Sequence, residues 1–234
     1  MSLLERSLPL IGEDGVKKLN NSSIIVFGVG GVGSWCAEAL VRCGIGRITV
    51  VDGDVVSETN KNRQIIALTS TEGMEKARVC AERLKDINPD CEVTSVNLFY
   101  SAETKGEIDL LQYDYIADCI DTVTSKLLLI TSANELKVPI ISSMGTGNRL
   151  DPSQITVTDI FKTSGDPLAR IMRKELRARG VEALKVVCSL EEPGKCCEGR
   201  NEITGRATPS SAVFVPATAG LRMAYEICYS LLYR

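Results

Sequence analysis

The chain contains no histidine. That absence removes every Ser-His-Asp, Cys-His and His-metal mechanism, and with them the usual general base near neutral pH. No CxxC pair occurs either, which argues against a tetrahedral cysteine zinc site. Aromatic residues make up only 5% of the 234 positions, so the core must be built from the Ile, Val, Leu and Ala of a 44% hydrophobic fraction. No apolar run approaches the roughly 18 residues of a membrane span, and no basic stretch leading into an apolar core opens the chain. With 27 basic and 30 acidic side chains, the net charge is −3, and an acidic partner would need a local basic patch. The nine cysteines are an odd number. Most of them (Cys36, Cys43, Cys80, Cys91, Cys119 and Cys228) fall in expected core elements, which suits reduced thiols of a cytoplasmic protein better than a disulfide framework. The chemistry must therefore run on carboxylates, Lys, Arg, Cys or a bound metal.

What is present is a regular alternation of elements. Residues 24–28 read as a buried strand, Gly28 to Gly33 as a glycine turn, Ser34 to Cys43 as a helix, and Ile48 to Val51 as a second strand ending at Asp52. A helix over about 72–87 stops at Asn88-Pro89. Strands follow near 93–96, 115–119 and 139–142, with a helix over 125–136. This alternation predicts an α/β, doubly wound, mostly parallel Rossmann-like sheet with an antiparallel C-terminal extension. The pattern changes after Ser143. Residues 154–158 alternate like an antiparallel strand, 167–179 read as a basic helix, 184–187 as a short strand and 216–232 as a final helix. Residues 188–211 have no periodicity and read as a long functional loop. The expected organisation is one domain over 1–234, with a nucleotide-binding core (1–143) and a substrate-side lobe (144–234).

Gly28, Gly30 and Gly33 stand at GxGxxG spacing between strand and helix, with Gly31 inside the turn. Such a turn lets phosphate approach the backbone at a helix N-terminus, and Asp52 is placed to accept hydrogen bonds from a ribose. On this fingerprint alone, NAD or FAD fits as well as ATP. The following stretch (Asp52, Asp54, Asn60, Arg63, Gln64 and then Lys76) adds cations of the kind a triphosphate requires. Read from the residues alone, Arg63 and Lys76 are equally at home as solvated surface charges.

Gly28-x-Gly-Gly-x-Gly-Ser34, Asp52-x-Asp54, Asn60-x-x-Arg63-Gln64 and Lys76 together resemble the ThiF/MoeB/ubiquitin-activating superfamily. The resemblance implies ATP in this cleft, with Asp52 on the ribose and Asn60, Arg63 and Lys76 around the phosphates. It implies that Asp121 holds Mg²⁺ and that Arg6 enters a neighbouring subunit's site, making a homodimer. Relatives carry Asp-Asn-x-x-x-Arg where this chain has Asp121-Thr-Val-Thr-Ser-Lys126, so Lys126 takes the place of the arginine. Several stretches are similar to one branch, the tRNA threonylcarbamoyladenosine dehydratases: Asp118 to Lys126, Ser143-Met-Gly-x-Gly-Asn148-x-x-Asp151-Pro152, Asp166-Pro-Leu-Ala169, Val186 to Pro193 and Phe214 to Gly220.

What that branch implies is adenylation by ATP of the carboxylate on a threonylcarbamoyl group beside the tRNA anticodon, then ring closure with net loss of water. Its substrate RNA needs a basic surface. Arg170, Arg173, Lys174, Arg177, Arg179 and Lys185, with Arg200 and Arg206, are candidates for a track along the anticodon arm; a solvated helix face is the plainer reading. The resemblance also admits a monovalent cation held by carbonyls near Gly145 to Asn148. No DNA or membrane partner is expected, and a cysteine-desulfurase-type partner stays open. The rival reading is activation of the C-terminal glycine of a ubiquitin-like or sulfur-carrier protein, with Cys188, Cys196 or Cys197 as transfer thiol. The missing CxxC pairs count against it. A nicotinamide oxidoreductase would leave Arg63 and Lys76 idle, and a silent scaffold is the third alternative.

Overall fold

The computed structural model describes residues 3–194 and 209–233. Strand β1 (Ser23–Phe27) is Ser-Ile-Ile-Val-Phe, buried on both faces, the pattern of a central parallel strand. Helix α2 (Gly33–Arg42) returns the chain to β2 (Arg47–Val51), and α3 (Lys76–Ile87) returns it to β3 (Glu92–Val96). Each new strand is added outward and parallel, with Ser23 level with Arg47 and Arg47 level with Glu92. The next strand, β4 (Tyr115–Asp118), pairs on the opposite side of β1, and β5 (Ile140–Ser143) follows beyond it across α4 (Val123–Leu136). Strand order thus reverses between β1 and β4, which opens a crevice at the carboxyl ends of these strands.

Strand β6 (Ile155–Asp159), helix α5 (Pro167–Ala178) and strand β7 (Lys185–Ser189) extend the sheet. The full order is β3-β2-β1-β4-β5-β7-β6, parallel throughout except for the β6–β7 pair. Helix α6 (Phe214–Leu232) closes the described fold. One sheet face carries α2, α3 and α6 with Leu19 of α1 (Leu8–Asn20), while α4 and α5 cover the other. No described helix is long and apolar enough to cross a membrane.

Most elements match the sequence reading to within one or two residues. The helix expected from residue 72 begins instead at Lys76, because 72–75 form a turn whose Gly73 has a φ of 80°. Helix α1 was not foreseen: Pro9 stands at its start and Gly12 (φ 72°) kinks it, which hides its period. The long aperiodic segment begins later than residue 188, since Cys188 and Ser189 belong to β7. Residues 195–208 lie outside the described part.

Candidate active site

The crevice at the switch point encloses about 390 Å³, within the range of roughly 300–1,000 Å³ common for small-molecule sites. Its floor is the glycine turn. Gly28, just past β1, adopts φ 81° and donates its N–H to the Val51 carbonyl at 2.7 Å. A side chain there would meet the Cys119 carbonyl at 2.8 Å, and a Cβ on Gly33 would stand 1.8 Å from the Gly28 carbonyl. Both positions need glycine so that the N-terminus of α2 can face the crevice. Gly30 and Gly31 line it as well, Gly31 lying against Pro216 of α6 and the Arg63 side chain.

The second wall grows from the end of β2. Asp52 accepts the Val29 N–H on one oxygen (2.8 Å) and the Asp54 N–H on the other (2.9 Å). Burial nonetheless pushes its carboxyl above the ordinary aspartate value, opposed by those bonds and by the charge of Lys76. Lys76, the first residue of α3 and 6% exposed, donates to Asp54 at 2.9 Å. The pair holds an otherwise buried ammonium at the rim of the crevice.

The segment after β2 supplies the rest. Asn60 is buried and accepts the Ser57 N–H at 3.1 Å, which turns the chain inward. Arg63 donates to the Thr59 carbonyl and to Asn62 Oδ1, each at 3.0 Å, while the Trp35 indole fixes its backbone carbonyl at 3.0 Å. Gln64 is 5% exposed, and its Oε1 is the one buried side-chain oxygen without a partner among the described residues. An unpaired buried acceptor costs about 1–3 kcal/mol, so a donor from a bound molecule would offset that cost.

Asp121 sits at the lip, past β4, exposed and touched only weakly by the Thr122 hydroxyl at 3.4 Å. No cluster of three metal-ligating side chains exists among the described residues. One free carboxylate facing a phosphate-sized crevice fits Mg²⁺, which takes one or two protein oxygens and completes its shell from phosphates and water.

Lys126 departs from its expected place. It is fully buried beneath the crevice, where its ammonium donates to Asp118 Oδ2 (2.7 Å) and Ser142 Oγ (3.0 Å). Asp118 Oδ1 in turn accepts the Ile120 N–H at 3.1 Å. Lys126 therefore braces the loop that carries Asp121 and does not itself line the cleft. Lys126, expected among the nucleotide contacts, is instead a buried structural group. Sequence reasoning also missed Leu98, Phe99 and Tyr100 beyond β3, and Thr146, Ser211 and Pro216 from the C-terminal half. The rule that ligands sit outside the carboxyl ends of strands would have pointed to the first three.

Two further expectations change. The Gly145 and Gly147 carbonyls, expected to hold a monovalent cation, already accept from the Arg149 guanidinium at 2.8 and 3.3 Å. Arg149 is itself buried, bonded to the Glu191 carbonyl and paired with Asp166 at 3.1 Å. The protein's own cation fills that carbonyl cluster. On α5, Arg173 is half-buried and donates to the Thr163 carbonyl (2.9 Å) and hydroxyl, and Arg179 pairs with Glu175 at 2.7 Å. Arg170, Lys174 and Arg177 are exposed, Arg177 lying over the Phe161 ring at 5.0 Å. Lys185 pairs with Glu226. Arg200, Arg206, Cys196 and Cys197 lie outside the described residues. Cys188 is buried, and burial raises its thiol, the opposite of what a transfer thiol needs. Arg6 is exposed and does not line the crevice of its own chain.

The ThiF family model matches residues 4–208. The chain is 41% identical over 232 residues to the tRNA threonylcarbamoyladenosine dehydratase of Bacillus subtilis, covering 95% of this chain and 91% of that one. It is 45% identical over 169 residues to the enzyme of that name from Escherichia coli K12, an alignment spanning 72% of this chain and 63% of that relative. The crystal structure of the E. coli dehydratase, TcdA, in complex with ATP superposes with a TM-score of 0.88 at 36% identity, covering 97% of this chain and 92% of the other. With the glycine turn, Asp52 and the Asn60–Lys76 wall around one crevice, and with this match over most of its length, the chain belongs to the ThiF family.

Proposed function

We propose that this protein is an ATP-dependent dehydratase of threonylcarbamoyladenosine in tRNA, working by adenylation of the side-chain carboxylate. The observation that carries the reading is the near full-length similarity to dehydratases, one of them in complex with ATP, joined to a crevice whose polar groups suit ATP. In this reading the α2 N-terminus faces the phosphates and Asp52 accepts the ribose hydroxyls. Asn60, Arg63, Gln64 and Lys76 surround the triphosphate, and Asp54 orients Lys76. The substrate carboxylate attacks the α-phosphorus and pyrophosphate leaves. An atom of the same modification then attacks the activated carbonyl, closing a ring and releasing AMP, so one water is lost overall.

A chain without histidine suits this chemistry, because the nucleophile belongs to the substrate and the leaving groups are phosphates. The protein orients the reactants and neutralises charge. Mg²⁺, when held by Asp121, would neutralise charge on the departing pyrophosphate. The exposed face of α5 (Arg170, Lys174 and Arg177) is the proposed contact with phosphates of the anticodon arm. Arg6 is proposed to complete the site of a second copy in a homodimer, and the working compartment to be the cytoplasm.

The direct test is incubation with ATP, Mg²⁺ and tRNA bearing or lacking the threonylcarbamoyl group. AMP formation and an RNA mass lower by one water, with the modified tRNA only, are expected. Turnover on a small protein ending in Gly-Gly, with none on tRNA, would replace this reading by carrier-protein activation. Mixing Arg6→Ala with Asp121→Ala should restore activity in hybrid dimers, and no rescue after proven subunit exchange would end the shared-site idea.

A further inference from the structure

Four of the seven described free cysteines gather where α2 meets α6, and nothing in the reaction above uses them. Gly220 brings the two helices close: a side chain there would meet the Val32 carbonyl at 2.3 Å and the Cys36 amide nitrogen at 3.0 Å. Gly220 of α6 is therefore level with Cys36 of α2. Seven residues further along α2 stands Cys43, and eight residues further along α6 stands Cys228. At 1.5 Å per residue these steps are about 10.5 and 12 Å, so two helices running in the same direction bring Cys43 and Cys228 side by side. Pro216 beside Gly31, with Gly220 beside Val32 and Cys36, fixes that common direction, and each of the two thiols shifts the titration of the other.

The partners are chemically unequal. Cys43 caps the end of α2, is exposed, and has its thiol brought down to about 7 by the neighbouring Cys228 thiol. Cys228 is 8% exposed, and its thiol is raised by the neighbouring Cys43 sulfur and by burial. An exposed, partly ionised thiol beside a protected thiol is the arrangement of an attacking and a resolving cysteine. The other two members differ. Cys36 is fully buried with its thiol raised, and Cys119 faces the Met223 sulfur at 3.7 Å.

We propose that Cys43 and Cys228 form a reversible, peroxide-reactive modification site that closes as a disulfide between α2 and α6. The Cys43 thiolate attacks one oxygen of hydrogen peroxide, becoming a sulfenic acid as hydroxide leaves and takes up a proton. The Cys228 sulfur then attacks the sulfenic sulfur, the S–O bond breaks, and the Cys228 proton leaves with the oxygen as a second water. Two thiols are oxidised, one peroxide is reduced, and two waters form. The bond staples the helix that presents the glycine turn to the helix that carries Pro216 into the crevice.

The test is mass spectrometry of the intact protein after limiting hydrogen peroxide, followed by peptide mapping without reductant. The expected result is loss of two hydrogens, one peptide pair joining residues 43 and 228, and return of the original mass with dithiothreitol. Cys43→Ser, at an exposed position and so without a folding penalty, should abolish the cross-link, while Cys80→Ser should leave it intact. Stable sulfinic acid on Cys43 with Cys228 still alkylatable would overturn the proposal, as would a Cys36–Cys119 bridge in its place. None of these readouts depends on tRNA or on turnover, so the site stands or falls apart from the proposed reaction.

Discussion

The two halves of the chain use charge in opposite ways. In residues 1–143, the groups that face the crevice are held by short local bonds: Asp52 by the Val29 and Asp54 amides, Lys76 by Asp54, Asn60 by Ser57. Asp52, Asp54, Asn60 and Lys76 all line the opening. Among the described residues after 143, several basic groups are spent on the protein itself: Arg149 on Asp166 and the Gly145 carbonyl, Arg173 on Thr163, Arg179 on Glu175 and Lys185 on Glu226. A motif therefore translates into a site in the first half, whereas a count of basic residues overstates the free charge in the second.

The sharpest way to break that contrast is Lys126, a first-half charge spent wholly inside. Lys126→Met should lower stability by about 3–5 kcal/mol, because Asp118 is left buried and unpaired. Adding Asp118→Asn, which keeps the acceptor for Ile120, should recover most of the loss in denaturant unfolding. A single variant as stable as the parent would show that the pair contributes nothing. Next in size, Asp121→Ala should cut ATP-dependent turnover by about 10²–10³-fold, the scale of losing one electrostatic contact to the transition state. Its melting temperature should be unchanged, since the carboxylate is exposed and only weakly bonded. Near-parental turnover would remove Asp121 from the mechanism.

The second half is probed by Arg170→Ala, Lys174→Ala and Arg177→Ala together. Each lost phosphate contact should flatten the log–log salt dependence of tRNA binding by roughly 0.7–0.9, alike for modified and unmodified RNA. Arg173→Ala should change stability more than it changes that slope, because its guanidinium already serves Thr163. An equal slope change from Arg173→Ala would erase the distinction between spent and free charge. The smallest effect concerns Asp52, whose folded-state carboxyl is raised by burial. As pH rises from the ordinary aspartate value of about 3.9 through the raised value, the folded state binds more protons than the unfolded, so stability from this group falls. Asp52→Asn should remove that slope. A thermal-unfolding series in which both proteins keep the same slope would contradict it.

Much of this was legible in the sequence, for reasons that differ by residue. The placement of Gly28, Gly33 and Asp52 at the crevice was readable because it follows from backbone geometry at the ends of adjacent parallel strands, a local matter. Seven strands could be read because Ile, Val and Thr runs alternate with helical spacing. Lys126 was misplaced because the order Asp121 to Lys126 fixes its position on α4 but says nothing of which side of the helix meets the sheet. Arg149 and Arg173 were hidden for a related reason. Their partners, Asp166 and Thr163, lie 17 and 10 residues away in the stretch leading into α5, and no periodicity marks such a meeting. The nearness of Cys43 and Cys228 depends on the level at which α6 docks, set by the absence of a side chain at Gly220.

That docking also has a consequence for biosynthesis. The chain is made from its N-terminus, and early segments begin to fold before late ones exist. The glycine turn, Asp52 and Lys76 are all translated before residue 80, yet Gly31 rests on Pro216 and the Val32 carbonyl on Gly220. Until residues 214–232 have emerged from the ribosome, α2 has an apolar side and no cover, and the crevice lacks a wall. A nascent or prematurely ended chain would thus carry the whole nucleotide motif without a finished pocket, and ATP would first find its place when the last helix arrives.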